Sequence, residues 1–484
     1  MAESIQSGHP DLKRVLGRWD LVLLFVVAIF NLNVVPSIAA NGGVTVWLWI
    51  ISLILFFWPQ GIAVIELAHR YPGEGGVYLW AKEIFGDFHG FFSGWCYWTN
   101  NMLYVPTVML YFVGVSVFVL GPSHRGLADN KTFALGASLV LLTLLLVLNI
   151  VGLGVGKWMN NLGGIGTGIA GALLIGLGVI VFLKSGASIA AVDFHVPSDH
   201  AAVLNSFGVI CFALVGLELA SVMGGEIKDP LRTLPGAVAW GGVISGVLYI
   251  ATTLTLLLAV AAGKSSLNVL QGIVQAVGSM AGTLGISWII PGFAFILSVS
   301  IAGIASAWLG GSARVPFVAG LDSYMPAWLG RVHPKYATPY AALIVHVAIS
   351  MLLCVVFFRF SSVQEAFQTM LSLAVVLQLV PFIYVFGALI KLAVRPPDGR
   401  GVYSKPVLLA AGICGLVTTV LGILLQYFPP KLSSSLKVYE IEMILGTVFF
   451  VGLAAFFFFI YGRAKRRVEA GVSPAQPSLA RQSE

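Results

Sequence analysis

The chain has 484 residues, of which 58% are hydrophobic and 10% are charged, and its formal net charge is +7 at pH 7. Soluble domains carry about 25% charged and about 45–50% apolar residues, so the composition excludes a water-soluble fold, a disordered chain and a fibrous one. Continuous apolar runs of about 20 residues can each cross a bilayer as a helix. They exclude a membrane β-barrel, whose strands are short and alternating. The sequence predicts an all-α, polytopic membrane protein.

Twelve apolar runs divide the chain, and each is predicted to be one transmembrane helix. We number them spans 1–12; they lie at 20–40, 44–67, 91–120, 134–154, 159–183, 203–223, 236–262, 287–310, 341–358, 364–390, 406–426 and 441–462. An even number of spans places both termini on one side. With the N-terminus in the cytoplasm, 20 of the 27 Lys and Arg residues lie on the cytoplasmic side. Cytoplasmic loops carry such an excess, so we expect a multi-pass protein of the cell membrane with cytoplasmic tails at 1–19 and 464–484. The second tail is expected to be disordered.

The middle of span 1 carries residues that disfavour a helix. Asn31, Asn33 and Pro36 follow one another closely near its mid-depth. Proline lacks an amide donor and restricts the residue before it, here Val35. Irregular backbone is tolerated in a membrane only where protein buries it or where it lines a cavity. Two interpretations follow: a broken helix at a binding site, or an ordinary proline kink whose polar residues face the bundle.

Span 6 has a second irregular segment, with Gly216 in its middle and Glu218 directly after. An ionisable group inside a membrane is costly and is usually functional, although a structural carboxyl is the alternative. Spans 1 and 6 occupy corresponding places in two sets of five and run in opposite directions. This arrangement predicts inverted repeats with a binding site between two discontinuous helices. Half-helix ends can hold an anion and a cation, which allows an amino acid zwitterion.

Four stretches carry a distinctive pattern: LGRWDLVLLFVVAIF (16–30), YPGEGGVYLWAKEIFG (71–86), FALVGLELASVMGGEIKDPLRTLP (212–235) and GSARVPFVAGLDSYMPAWLGRVHPKYATP (311–339). In these stretches the chain resembles the amino acid–polyamine–organocation (APC) family of secondary transporters. The pattern is most similar to the glutamate/GABA-exchanger and polyamine-permease branches. The resemblance implies a LeuT-like inverted 5+5 repeat with broken helices 1 and 6, at 20–183 and 203–395. It also implies two extra helices at 406–463 and transport by alternating access.

The resemblance also implies positions for a substrate. The substrate carboxylate would meet the irregular backbone of span 1, and its amine would meet carbonyl groups of span 6, near Gly216. These positions are Phe30, Asn31, Asn33, Val34 and Val35 in span 1, and Ile210, Cys211, Phe212 and Ala213 in span 6. Phe212 would cover the substrate as a gate, and Asn101 of span 3 would contact it. The alternatives are plain packing for Phe212 and an interhelical hydrogen bond for Asn101.

The chain departs from the family pattern in two places. Asn31-Leu32-Asn33 stands where the family has a Gly-Ser-Gly run, so direct side-chain contacts with the substrate become more favoured than bare backbone amides. Thr167 stands where some proton-coupled members have a lysine. This leaves exchange, proton coupling through Glu218, or a sodium site at Thr167 with carbonyls of span 1. We favour proton symport or exchange.

No catalytic motif is present: the sequence has no Walker loop, dinucleotide fingerprint, metal-ligand cluster or nucleophile elbow. We therefore expect no enzyme activity, no cofactor and no metal, and topology explains the positive charge without nucleic acid. The expected partners are a small-molecule substrate and the lipid bilayer. The predicted function is secondary active transport of amino acids. The alternatives are a polyamine or organic-cation permease, in which Glu218 serves the substrate, and a non-transporting sensor. Glu66 is predicted to pair with a neighbouring charge at the end of span 2.

Overall fold

The computed structural model describes residues 17–71, 76–151, 153–185, 192–218, 229–261, 268–313, 316, 324–336, 338–396, 401–431 and 435–469. Within these ranges the chain forms helices and no strand. The helices are α1 (Arg18–Ile29), α2 (Val35–Ala39), α3 (Val44–Arg70), α4 (Val77–Phe85), α5 (Asp87–Ser116), α6 (Lys131–Val151), α7 (Leu153–Ser185), α8 (His200–Ala213), α9 (Pro230–Ala261), α10 (Gly272–Thr283), α11 (Ile289–Ser312), α12 (Tyr340–Phe360), α13 (Val363–Val394), α14 (Lys405–Leu425) and α15 (Leu436–Glu469). The predictions for 1–16, most of the YPGEGG turn, the exit of span 6 and the C-terminal tail after 469 lie outside the described residues.

Ten helices are long and apolar enough to cross a membrane: α3, α5, α6, α7, α9, α11, α12, α13, α14 and α15. They coincide with ten of the twelve predicted spans, which confirms an all-α, multi-pass membrane protein. Spans 1 and 6 are missing from this set because their helices are short. The helices α1, α2 and α8 have 12, 5 and 14 residues. Twelve crossings and the inverted repeat stay predictions.

The interruption in span 1 lies between α1 and α2. Asn31 has extended backbone angles (φ −109°, ψ 106°), and a short 3-10 turn at Leu32–Val34 leads into α2. Pro36 occupies one of the first two positions of α2. There its missing amide costs no hydrogen bond, and its fixed φ suits the start of a helix. The proline therefore starts the second half of span 1, and the helix opens just before it, at Phe30 and Asn31.

The interruption in span 6 follows α8. Gly216 has φ +145°, a conformation that L side chains rarely adopt. A Cβ at Gly216 would lie 3.0 Å from the Ile29 side chain and 3.4 Å from that of Ala28. Glycine thus serves two purposes here, because it accepts the backbone conformation and lets the end of α1 approach. The two interruptions lie side by side as a result.

Candidate functional site

A tyrosine of α9 lies where the two interruptions meet. The Tyr249 hydroxyl accepts a hydrogen bond from the backbone amide of Asn31 at 2.9 Å and donates to the Ile29 carbonyl at 2.5 Å. The same hydroxyl lies 3.2 Å from the carbonyl of Ala213, the last residue of α8. Tyr249 is fully buried. Backbone groups that both interruptions leave without helical partners therefore converge on one side chain.

Asn31 and Asn33 line the interruption of span 1. The Asn31 Nδ2 atom lies 3.2 Å from the carbonyls of both Ala28 and Ile29, so this side chain caps the end of α1. The Asn33 Nδ2 atom lies 3.5 Å from the Tyr104 hydroxyl of α5. Both Oδ1 atoms are buried and have no hydrogen-bond partner among the residues that the structure describes. Buried polar atoms normally have a partner, so these two oxygens are free to accept hydrogen bonds from a ligand.

Aromatic side chains surround these asparagines. Phe212 of α8 packs edge-on against Tyr104, with 5.1 Å between ring centroids, and Tyr104 packs against Trp308 of α11 at 6.1 Å. Phe30 packs edge-on against Tyr249 at 5.2 Å. Phe212 is 9% exposed. The structure thus places Phe30, Asn33 and Phe212, which the sequence predicts separately, in one group.

The other predicted backbone positions are buried on either side of the interruptions. Val34 ends the 3-10 turn and Val35 begins α2. Ile210, Cys211, Phe212 and Ala213 form the last turn of α8. The first three carbonyls accept hydrogen bonds from the amides of Leu214 and Val215, whereas the Ala213 carbonyl lies 3.2 Å from the Tyr249 hydroxyl.

Asn101 lies one turn away from the contacts with span 1. Its Nδ2 atom donates to the Tyr97 carbonyl of its own helix at 3.0 Å, and its Oδ1 atom is buried without a partner in the described ranges. The side chain of α5 that contacts Asn33 and Phe212 is Tyr104. Asn33 therefore contacts α5 through Tyr104, whereas the Asn101 side chain bonds within its own helix.

Glu218 is 2% exposed and is held by groups from two other helices. Its Oε2 atom accepts from the Gly216 amide at 2.9 Å and from Gln60 Nε2 of α3 at 3.3 Å. Its Oε1 atom accepts from the Tyr97 hydroxyl of α5 at 3.3 Å. These three donors are neutral. The carboxyl group therefore joins α3, α5 and the interruption after α8.

Thr167 is a residue of α7, and its side chain contacts α11. Its hydroxyl donates to the Gly163 carbonyl at 2.9 Å and lies 2.5 Å from the Ser300 hydroxyl. Both hydroxyl groups are buried. Span 1 approaches α7 near this point, because a Cβ at Gly171 would lie 3.0 Å from the Phe30 ring. Within the described residues, no group of three or more His, Cys, Asp and Glu side chains could hold a metal ion.

Sequence reasoning missed four residues of this region: Gln60, Tyr97, Tyr104 and Tyr249. Gln60 had a usable signal, because it is an amide inside an apolar run. The tyrosines had none, since a tyrosine in an apolar helix is as compatible with packing or with the membrane interface as with a site.

Comparison with known proteins identifies the family. The model of the family described as "Amino acid permease" matches residues 16–460. An uncharacterized transporter of Legionella pneumophila is 28% identical over 453 residues, which are 91% of this chain and 95% of that protein. A probable agmatine/putrescine antiporter of Lactococcus lactis is 22% identical over 96% of this chain and 97% of its own length. A branched-chain amino acid permease of Bacillus subtilis is 24% identical over 69% of this chain and 73% of its own length. The match spans nearly all of the membrane-embedded chain, and the chain therefore belongs to the amino acid permease family of APC transporters.

Proposed function

We propose that the protein is a secondary active transporter that carries an amino acid or a related organic amine by alternating access. The observation that carries this proposal is the meeting of two interrupted helices, α1–α2 and α8, around Tyr249. Irregular backbone inside a membrane needs a protein or a cavity around it, and transporters use such segments to bind substrates.

The proposed substrate lies between α2, α5 and α8, against Asn33 and under Phe212. The backbone of Leu32 and Asn33, ahead of α2, is the part of span 1 that would meet an anionic group, because the Val35 amide bonds the Leu32 carbonyl and Pro36 has no amide. The end of α8 presents carbonyl groups, which attract an ammonium group. The oxygens of Asn31 and Asn33 add two acceptors. An amino acid offers a carboxylate and an ammonium group to these two helix ends.

We propose Glu218 as the coupling group for proton symport or exchange. It is buried, it is ionisable, and it holds the interruption of span 6 to α3 and α5 through Gln60 and Tyr97. Gain or loss of a proton changes how strongly the carboxyl group accepts from these donors. A change at Glu218 would therefore alter the position of span 6 relative to its neighbours. Sodium coupling at Thr167 is the competing proposal, and it would require Thr167 and Ser300 to turn from each other toward the ion.

A polyamine or organic-cation permease is the second candidate, and the side chains of span 1 favour it. Asparagines stand in place of glycines in span 1, so side chains cover backbone amides that a glycine run would leave bare. The backbone amide of Asn31 already donates to Tyr249. These changes weaken a carboxylate site, whereas the two asparagine oxygens suit ammonium groups. The relative named as a probable agmatine/putrescine antiporter aligns with almost the whole chain.

We further propose that both termini are cytoplasmic and that 20–183 and 203–395 are inverted repeats. The support is the distribution of Lys and Arg and the corresponding places of the interruptions in the two halves. Protease removal of terminal tags in sealed, right-side-out vesicles checks the orientation. Cleavage without permeabilisation would contradict it.

Counterflow in proteoliposomes tests the function. Purified protein is reconstituted, and uptake of labelled leucine, glutamate, GABA, agmatine and putrescine is measured against each unlabelled compound inside, at two pH values, with and without sodium. We expect saturable uptake of one class. Uptake of an amino acid supports the first candidate, and uptake of agmatine or putrescine alone supports the second. Absence of counterflow for every compound, from protein that folds normally, would contradict transport of both classes.

Glu218→Gln separates coupling from transport. The amide still accepts a hydrogen bond and cannot exchange a proton, so uptake driven by a pH gradient should fall at least tenfold while counterflow persists. Glu83→Gln is the control, because Glu83 is exposed on α4. Gradient-driven uptake that is unchanged in Glu218→Gln would exclude Glu218 as the coupling group, and dependence on sodium would move the proposal to Thr167.

A further inference from the structure

The Tyr249 hydroxyl contacts both interruptions, although it has only one proton to donate. It accepts from the Asn31 amide, and its proton points to the carbonyl of Ile29 at 2.5 Å or to that of Ala213 at 3.2 Å. The shorter distance assigns the proton to Ile29 in this conformation. A small rotation about the phenol C–O bond would transfer this hydrogen bond from span 1 to span 6.

The ring that carries this hydroxyl is held firmly. Tyr249 stacks on Trp49 of α3 with 4.1 Å between centroids. The Trp49 indole in turn donates to Thr253 of α9 at 3.1 Å, one turn beyond Tyr249. Phe30 packs against the other side of the tyrosine at 5.2 Å. The ring is therefore held by α3 and α9 on one side and contacts the interruption of span 1 through Phe30.

We propose that Tyr249 is a positioning residue that couples the two interruptions. Its hydroxyl accepts from the Asn31 backbone amide and donates its one proton either to the Ile29 carbonyl of span 1 or to the Ala213 carbonyl of span 6. Neither interruption can change its backbone geometry without altering the bonds available to the other. The inference extends the proposed transport function to the movement of spans 1 and 6, and its test needs no substrate.

Hydrogen exchange of the purified, full-length protein in nanodiscs tests the coupling. Tyr249→Phe keeps the ring and removes the hydroxyl, which leaves the Asn31 backbone amide without its acceptor and takes the only hydroxyl donor away from the carbonyls of Ile29 and Ala213. Losing a buried partner changes a local equilibrium by about tenfold. We expect about tenfold faster exchange in both segments 30–35 and 213–218. Faster exchange in one segment alone, or in neither, would overturn the proposal.

Tyr111→Phe is the matched control. Tyr111 of α5 is equally buried, and its hydroxyl has no hydrogen-bond partner among the described residues. The substitution removes the same atom without removing such a bond, so exchange in both segments should match that of the unchanged protein. Equal acceleration in the control would also overturn the proposal, because it would trace the effect to general loosening.

A second variant decides the case in which Tyr249→Phe unfolds or accelerates exchange everywhere, including in α12. Thr253→Val removes the acceptor of the Trp49 indole and leaves the Tyr249 hydroxyl present. We expect exchange about two- to fivefold faster in 30–35 and 213–218 together, since the ring is less firmly held. Unchanged exchange in these segments would overturn the proposal.

Transport supplies a separate measurement. In counterflow with the panel compound that the unchanged protein transports, Tyr249→Phe should raise KM about tenfold relative to Tyr111→Phe, per folded molecule, because the interruptions no longer hold the geometry that binds substrate. An unchanged KM and turnover would overturn the positioning role. If the unchanged protein transports no compound of the counterflow panel, the proposed function fails while the exchange experiment still decides the coupling.

Discussion

Asn31 and Asn33 show how single residues set the chemistry of this site. The nitrogen of Asn31 caps α1, and that of Asn33 faces Tyr104, so both side chains turn an oxygen toward the interior with no partner among the described residues. An unpaired buried acceptor costs free energy. A ligand with N–H donors would recover that cost on binding. At the proposed site, the two asparagines would therefore favour a substrate that carries an amine.

Phe212 gives a prediction at the same scale. Phe212→Ala removes the ring that packs on Tyr104. Contact of an aromatic ring with its partner contributes about 0.5–1.5 kcal/mol beyond its buried area, so, with Phe212 over the substrate as proposed, losing the ring should lower substrate affinity by roughly three- to tenfold. The measurement is the increase in thermal midpoint produced by the compound that counterflow identifies. Phe449→Ala is the control, because Phe449 is 57% exposed on the surface of α15. Equal loss of the ligand-induced increase in both variants would contradict a substrate contact at Phe212.

The half-helices are the elements that distinguish this bundle. The break after α1 is stabilised by Asn31 and Tyr249, and that after α8 by Gly216 and Glu218. Each pair includes a local side chain that bonds backbone close to it. Such local bonds compete with helix formation, which explains why both spans open at these residues and not elsewhere along their apolar lengths.

Gly216→Ala tests the second interruption. Its φ of +145° and the 3.0 Å approach to Ile29 both oppose a side chain. A residue held in such a region costs about 1–3 kcal/mol. We expect a lower thermal midpoint and faster hydrogen exchange in 213–218. Gly168→Ala is the control, because Gly168 is helical and has open space around its added Cβ, and its midpoint should stay equal or rise. Equal midpoints in the two variants would contradict strain at Gly216.

At the scale of the whole molecule, α3 is tied to the segment that precedes α14. Glu66 is fully buried and accepts from Arg70 at 2.5 Å, which confirms the predicted ion pair. Its other oxygen accepts from the amides of Val402 and Tyr403 at 2.9 and 3.0 Å. A Cβ at Gly401 would come too close to both charged groups. One carboxylate therefore anchors residues 401–403 against the end of α3.

Glu66→Gln should weaken this anchor. The side-chain nitrogen of glutamine is a donor, and it would face either Arg70 or the backbone amides of 402 and 403, which are donors as well. Leaving a buried donor unpaired costs about 1–3 kcal/mol. We expect a lower thermal midpoint and faster exchange at 401–405, with counterflow retained at temperatures where the variant is folded. Glu83→Gln should leave both unchanged. Unchanged exchange at 401–405 in Glu66→Gln would show that the anchor contributes nothing measurable.

Sequence reasoning located the interruptions because their causes are local. Asn31, Asn33, Gly216 and Glu218 are unusual inside apolar runs, and the side chains of Asn31 and Glu218 bond backbone within a few residues. The sequence does not show whether Pro36 breaks a helix or begins one, since both kinds of proline look alike in sequence. The structure places it at the start of α2. The contact of Tyr104 with Asn33 has no such local cause, because the rotation of α5 that brings Tyr104 to span 1 depends on packing; contact of Asn101 with a substrate stays a prediction.

The sequence by itself determined the membrane class, the positions of the long helices, and the two spans that are interrupted. Composition and apolar run length set the first two, because lipid requires satisfied backbone over about 20 residues. The tertiary structure decided what joins the interruptions. Tyr249 lies 218 positions from Asn31 and 36 from Ala213. Gln60 of α3 and Tyr97 of α5 likewise contact Glu218, which is far from both in sequence. These contacts depend on how the helices pack, and a tyrosine inside an apolar helix carries no local signal of the partner that it will find.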